Sequence, residues 1–286
     1  MRWIESGGVR LALVEQGDRS RPTLLLLHGY PDTHRVWDEI VPLLTSRFHL
    51  VRYDIRGAGH STAPRGTRHY AFDHLMADLT AVLDEIGKPR VHLVGHDWGS
   101  LQGWEAALRF PDRLASFTSF GGPGLDHAAR FMRGPGALGQ ALRSWYIGAF
   151  QLPYLPELAW RTFGPRALAR FLRVTEGLAG RPGHPAASLV RDGMNGVNLY
   201  RANMFPRLRA PRANPVVTIP VQLIETTRDR FVSPKLVRAA DGWVPELRYR
   251  RLAAGHWAQR SHPAEIAGLI ADFVDSAQNG QLAGKT

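Results

Sequence analysis

The hydrophobic pattern changes period several times along the chain, and each change marks an element. Residues 2–16 alternate polar and apolar positions around Ser6-Gly7-Gly8, which predicts a two-stranded hairpin. Thr23–Leu27 is a continuous apolar run, as expected of a strand buried on both faces. A short strand containing Val51 is expected to end at Asp54. From 73 to 86 the period becomes helical, with Leu75, Leu79, Val82, Leu83 and Ile86 on one stripe, and Gly87 and Pro89 stop it. Val91–Val94 reads as a buried strand, 98–110 as a helix and 114–120 as the next strand. Strands are expected again at 219–225 and 246–252, then a closing helix after Pro263 with Ile266, Leu269, Ile270, Phe273 and Val274 on one face. Strand and helix alternate as a mostly parallel, doubly wound α/β sheet requires.

Between Gly122 and Arg212 the pattern breaks into short helical stretches interrupted by Gly and Pro, rich in aromatics and without a strand. This predicts a helical cap at 123–212, inserted into a core made of 1–122 and 213–286. The polar tail from Ser276 onward is expected to be disordered. A chain of 286 residues suits one large core with such an insertion.

Composition narrows the chemistry. There are no cysteines, which removes disulfides, thiolate nucleophiles and cysteine-based metal sites together. The start MRWIESGGVR lacks the apolar stretch of a signal peptide and the Leu24–Leu27 run is too short to span a bilayer, so a cytoplasmic protein with no membrane span is expected. The net charge of +11 is carried by scattered arginines with no nucleic-acid-binding motif, so no nucleic-acid partner is assigned. The twelve histidines contain no HExxH-type spacing, and neither metal nor cofactor is assigned.

The strand at 91–94 runs into Gly95-His96-Asp97-Trp98-Gly99 and then a helix. That is the small-x-nucleophile-x-small spacing of a nucleophile elbow, where glycines permit a strained turn that lifts the central residue above the sheet. Here the raised residue is Asp97; a carboxylate there can attack an sp³ carbon and form an ester, which suits epoxide opening or halide displacement. An aspartate in this place could instead merely cap the helix. Two further residues weigh against that: Asp229 follows the strand at 219–225 and His256 follows the last strand, in the order nucleophile, acid, histidine. Asp229 would hold the imidazole while its other nitrogen takes a proton from water. Backbone N–H groups of Tyr30, in His28-Gly29-Tyr30-Pro31, and of Trp98 are the candidate oxyanion hole. His28 itself is expected to be structural rather than catalytic.

With these motifs in place, residues 20–275 resemble the epoxide hydrolases of the α/β-hydrolase fold: HGYPDT at 28–33, RGAGHS at 56–61, GHDWGS at 95–100, RDRFVSP at 228–234 and GHWAQRSHP at 255–263 stand in family order. The core is also similar to the hydrolase half of bacterial proteins that fuse this domain to a short-chain reductase. The resemblance implies two cap tyrosines as proton donors to the epoxide oxygen: Tyr146, in YIGAFQ, and Tyr200, in NLYRAN, with Tyr154 as the alternate to Tyr146. His28, Pro31, Phe150 and Trp257 are expected to line the substrate pocket, and the cap aromatics Trp145, Phe150, Trp160 and Phe171 suggest an apolar small-molecule epoxide unless they form the cap's own core. A homodimer is a further option. The stretch from Arg161 to Pro185, rich in Arg, Gly and Pro, departs from the family pattern. Two rivals stand: a dehalogenase, which needs halide donors rather than phenols, and a catalytically silent ligand-binding protein on the same fold.

Overall fold

The computed structural model describes residues 1–178, 180 and 183–280. The strands β1 (Arg2–Ser6), β2 (Val9–Gln16), β3 (Thr23–Leu27), β4 (His49–Tyr53), β5 (Val91–His96), β6 (Leu114–Phe120), β7 (Val221–Thr226) and β8 (Leu247–Leu252) form one sheet in the order β1-β2-β4-β3-β5-β6-β7-β8. β1 with β2 and β2 with β4 pair antiparallel; every other neighbour is parallel. Gly7 and Gly8 close the first hairpin with φ of 51° and 81°, the left-handed pair that a two-residue loop requires.

The helices of the core are α1 (Val41–Leu44), α2 (Phe72–Ile86) and α3 (Trp98–Arg109). Between β6 and β7 run α4 (Leu125–Phe131), α5 (Ala137–Arg143), α6 (Trp145–Ala149), α7 (Leu155–Thr162), α8 (Gly164–Thr175) and α9 (Leu189–Arg209), with no strand among the described residues. The chain closes with α10 (Pro234–Val237), α11 (Ala258–Ser261) and α12 (Pro263–Gln278).

The apolar run of β3 divides between two faces. Leu25 and Leu27 pack with Leu93, Phe117 and the α2 stripe of Leu75, Leu79 and Leu83. Leu24 and Leu26 pack with Val94, Phe120, Ile224 and the α12 residues Ile266 and Ile270. Burying each such side chain contributes about 1.5–3 kcal/mol, which is why the Leu24–Leu27 run is apolar toward both layers. One expectation fails here: α12 continues through Ser276 to Gln278, its last turns holding Phe273 and Val274 buried, with Ser276 Oγ donating to the Asp272 carbonyl and accepting from Arg248. The rest of the tail, 281–286, lies outside the described residues.

Both ends of the helical insertion are tied to the same carboxylates. Arg212, just after α9, donates to Glu105 of α3 at 2.6 Å and to Asp126 at the start of α4 at 2.8 Å, and Arg207 reaches Asp126 at 2.9 Å. Burial alone would raise the Glu105 carboxyl, but these arginines hold it down at about 2, so the clamp stays ionised.

The RGAGHS turn is built around a second buried pair. Arg56 donates to both oxygens of Asp78 on α2 at 2.6 Å each, and to the carbonyls of His69 and His74. Asp78→Ala would leave a buried guanidinium without its counter-charge, and we expect it to cost about 3–5 kcal/mol in urea unfolding. A loss below about 1 kcal/mol would show that water reaches Arg56.

Candidate active site

β5 ends at His96 and α3 begins at Trp98, leaving Asp97 between them at φ 51°, ψ −120°. A non-glycine residue there stores roughly 1–3 kcal/mol of strain, held in place by its surroundings. The Asp97 N–H donates to the Phe120 carbonyl at 3.2 Å, and its carbonyl accepts from Leu101 at 3.0 Å. Gly99 lies so close to the Leu27 carbonyl, and Gly29 so close to the Asp97 side chain, that a Cβ at either would collide. These contacts explain the glycines, and the alternative that Asp97 merely caps α3 finds no support, since its side chain makes no cap hydrogen bond to that helix.

The two oxygens of the raised carboxylate face different partners. Oδ1 accepts from the Tyr30 N–H at 2.7 Å; Oδ2 lies 3.7 Å from His256 Nε2. On the far side of the ring, His256 Nδ1 meets Asp229 Oδ2 at 2.7 Å, while Asp229 Oδ1 accepts from the Phe231 and Val232 N–H groups at 2.7 and 3.0 Å. Burial would lower the imidazole pKa, but the Asp229 and Asp97 carboxylates outweigh it and hold it well above the ordinary histidine value. The same contacts keep Asp229 below the usual carboxylate range despite its burial.

Two supports of His256 were not among the expected site residues, although the first stands inside the GHDWGS motif. His96 is fully buried, hydrogen-bonds through Nε2 to the His256 carbonyl at 2.9 Å, and accepts at Nδ1 from Gln259 at 3.0 Å. Burial pushes its pKa down to about 4, so it stays neutral. Glu176, at the C-terminal end of α8, takes the His256 N–H on Oε1 at 3.1 Å and the Trp257 N–H on Oε2 at 3.2 Å. It lies in the Arg-, Gly- and Pro-rich stretch that departs from the family pattern, so nothing in the motifs could have flagged it.

A cavity of about 90 Å³ opens on Asp97. Tyr146 from α6 and Tyr200 from α9 both line it, their rings 5.9 Å apart and near-perpendicular. Burial, followed for Tyr146 by the Asp97 charge and for Tyr200 by Tyr146, raises both phenols above the ordinary tyrosine value, so they stay protonated. The apolar walls come from Leu101, Leu125, Met132, Ile147, Met204 and Leu208.

None of the four expected pocket residues lines this cavity. His28 is buried beneath the loop, with Nδ1 on the Gly29 carbonyl and Nε2 accepting from Ile55, which agrees with a structural role and not with pocket lining. Pro31 borders a separate small void beside Arg56 and Asp192. Trp257 turns its indole N–H to Asp32 at 2.8 Å, and Phe150 packs edge-on against Tyr30, Tyr146 and Tyr200. The cavity lies toward α4 and α9 instead, and Phe231 and Trp98 supply its aromatic wall. Tyr154 is excluded as the alternate phenol, being 84% exposed at the start of α7. Of the cap aromatics, Trp145 is exposed, Trp160 donates to Tyr30 Oη, and Phe171 packs on Trp257 and Phe231. Among the described residues, no cluster of side chains could hold a metal.

Fold and site together define an α/β hydrolase with a carboxylate at its elbow. The α/β hydrolase fold family matches residues 22–263. The chain is 30% identical to epoxide hydrolase A of Mycobacterium tuberculosis, with 96% of each covered, and 39% identical to probable oxidoreductase EphD of the same organism. That second match covers 96% of this chain but 49% of the relative, so the chain spans about half the length of that protein. Among solved structures, the F128A mutant of a Bacillus megaterium epoxide hydrolase, complexed with its product (R)-3-[1]naphthyloxy-propane-1,2-diol, superposes with a TM-score of 0.85 at 28% identity, covering 96% of this chain and 100% of that one. The chain belongs to the epoxide hydrolases of the α/β hydrolase fold family.

Proposed function

We propose that this protein hydrolyses an apolar epoxide to a vicinal diol through an ester on Asp97. The observation that carries the reading is one cavity whose wall holds the Asp97 carboxylate together with the phenols of Tyr146 and Tyr200. Asp97 Oδ2 attacks an epoxide carbon; the C–O bond breaks, and the departing oxygen takes a proton from a phenol. Oδ1, already accepting from Tyr30, becomes the ester carbonyl oxygen, and the N–H groups of Tyr30 and Trp98 hold the charge that develops on it. His256 then takes a proton from water as the water adds to that carbonyl carbon. The adduct collapses by breaking the bond to the diol oxygen, which takes the proton of the Asp97 carboxyl and leaves as the diol, and the proton held on His256 returns to the phenolate. One water is consumed, and the helical insertion at 123–212 acts as the lid that carries the phenols.

Phenols suit an alkoxide, which must gain a proton, better than a halide, which need not; this disfavours dehalogenation. The word oxidoreductase belongs to a relative twice as long. In this chain the run Gly134-Pro135-Gly136-Ala137-Leu138-Gly139 has dinucleotide-type spacing, but it runs from the turn after α4 into the first residues of α5, and a helix rather than a strand precedes it.

Diol formation from styrene oxide, trans-stilbene oxide and an epoxy fatty acid tests the reading. Turnover of none of them, with release of halide from simple haloalkanes, would move the assignment to a dehalogenase. Tyr146→Phe and Tyr200→Phe are each expected to slow ester formation by roughly 10² while leaving ester hydrolysis unchanged. Equal slowing of both steps would mean that the phenols only shape the cavity.

Glu176→Ala should behave in the opposite way. Loss of the acceptor for two buried N–H groups lets the His256 loop shift, which we expect to slow ester hydrolysis by roughly tenfold to 10², with ester formation unaffected and partial recovery in Glu176→Gln. Rapid-quench separation of the two steps decides it; unaltered hydrolysis in Glu176→Ala would make the contact purely a lid anchor.

A further inference from the structure

The basic residues are spread along the chain, but the excess of positive over negative charge falls mostly in one part of it, where carboxylates are few. Residues 123–212 hold thirteen arginines against four carboxylates, so nine of the eleven net positive charges lie in the insertion. The exposed large apolar side chains gather there too: among the described residues, all but Met1, Trp3 and Leu43 belong to this stretch. Two such features falling on the same helices call for one explanation.

On α8 they interleave. Phe163, at its N-cap, together with Ala167, Arg170 and Val174, recurs at helical spacing along the exposed side, with Arg166 and Arg173 beside that row. Arg166, Arg170 and Arg173 have no carboxylate partner among the described residues. The neighbouring α7, which packs against α8, exposes Leu155, Leu158 and Arg161, and α5 and α6 add Leu138, Leu142 and Trp145. Exposed apolar side chains scattered singly are ordinary, but their gathering on packed neighbouring helices such as α7 and α8 marks an interaction surface.

We infer that this lid face docks on an anionic lipid bilayer. Leu, Phe and Trp would enter the headgroup–acyl boundary, and the arginines would meet lipid phosphates while their stems lie along the apolar surface. Charge decides between occupants: a second copy would bring two arginine-rich faces together, whereas an anionic surface complements them. Exposed leucines and a phenylalanine have no use against a nucleic-acid backbone. Among the described residues no helix is long and apolar enough to cross a membrane, so the attachment is peripheral. The inference rests on the surface alone and stands whatever reaction the cavity performs.

Co-sedimentation of the whole chain with vesicles tests it, using phosphatidylcholine alone and phosphatidylcholine mixed with phosphatidylglycerol. Binding is expected to the mixed vesicles and not to the neutral ones, weakening as salt is added. The triple variant Arg166→Gln, Arg170→Gln, Arg173→Gln should lower the partition coefficient about 100-fold at low salt, with an unchanged melting temperature, since none of the three contributes to the core. Leu155→Ser with Phe163→Ser should weaken binding without altering its salt dependence. Absence of binding to the mixed vesicles at low salt, or equal binding by the triple variant, overturns the inference. A dimer in light scattering that these substitutions dissociate, with no vesicle binding, would assign the face to a second copy instead.

Discussion

Asp97→Ala is expected to lose diol formation by at least about 10⁴-fold while the protein remains folded. The size follows from the role: without the carboxylate no ester forms, and what is left is attack by water with His256 standing beyond the missing group. Stability should not fall with activity. The Asp97 carboxylate contributes one accepted hydrogen bond, from Tyr30, and a 3.7 Å approach to His256, against the strain of a positive φ and a partly buried charge. Alanine keeps the strain but removes the charge, so the melting temperature is expected to stay level or rise. Isotope placement separates a covalent route from a direct one. In a single turnover with excess enzyme in ¹⁸O-labelled water, the ester route delivers a diol oxygen from Asp97 and therefore an unlabelled product, with the label left on the aspartate. Labelled diol in that first turnover would overturn the two-step scheme even if Asp97→Ala were inactive.

The chemistry was more legible in the sequence than the pocket, and the reason is local geometry. A nucleophile elbow is encoded within a few consecutive residues: β5 supplies the apolar run, Gly95 and Gly99 the close approaches, and Asp97 stands where the turn must be. Asp229 and His256 are each placed by the strand before them, so an ordered reading of strands finds both. The cavity has no such code. Its walls come from α4, α6, α9 and the loop after β7, and their meeting depends on how the insertion folds back over the sheet. Hence Trp257, next to the histidine in sequence, points its indole away to Asp32, while Met204 and Leu208, one and two helical turns beyond Tyr200 on α9, line the cavity. Glu176 was invisible for the same reason: its partners are two backbone N–H groups eighty residues further on, and backbone groups carry no sequence signature. Tyr146 and Tyr154 are a similar case, because only the turn at Phe150–Tyr154 sends one inward and the other to solvent.

His256→Gln is expected to let the ester form and then to hold it, slowing release by roughly 10² to 10⁴. Glutamine approximates the ring's reach but cannot take the proton from water, so incubation with a turned-over epoxide should add one substrate mass to the protein, located on the peptide containing Asp97. The pH profile of the unaltered enzyme adds an independent reading of the same residue. In the free enzyme His256 lies between Asp229 and Asp97, whose charges hold its pKa well above the ordinary value. Esterification removes the Asp97 charge, so one of the two influences that raise the pKa disappears, and burial, which lowers it, gains weight. The imidazole is thus expected to release its proton more readily in the intermediate than in the resting state, which is the state in which a neutral base is needed. As pH falls through the pKa of the intermediate, hydrolysis should fail first: kcat then drops and ester accumulates, whereas kcat/KM, set by the attack of Asp97, holds to lower pH. In His256→Gln that acid limb of kcat should vanish along with most of the rate. An acid limb that persists unchanged in the variant would assign the titration to another group, and absence of any adduct with an epoxide that the wild type consumes would remove His256 from the hydrolytic step.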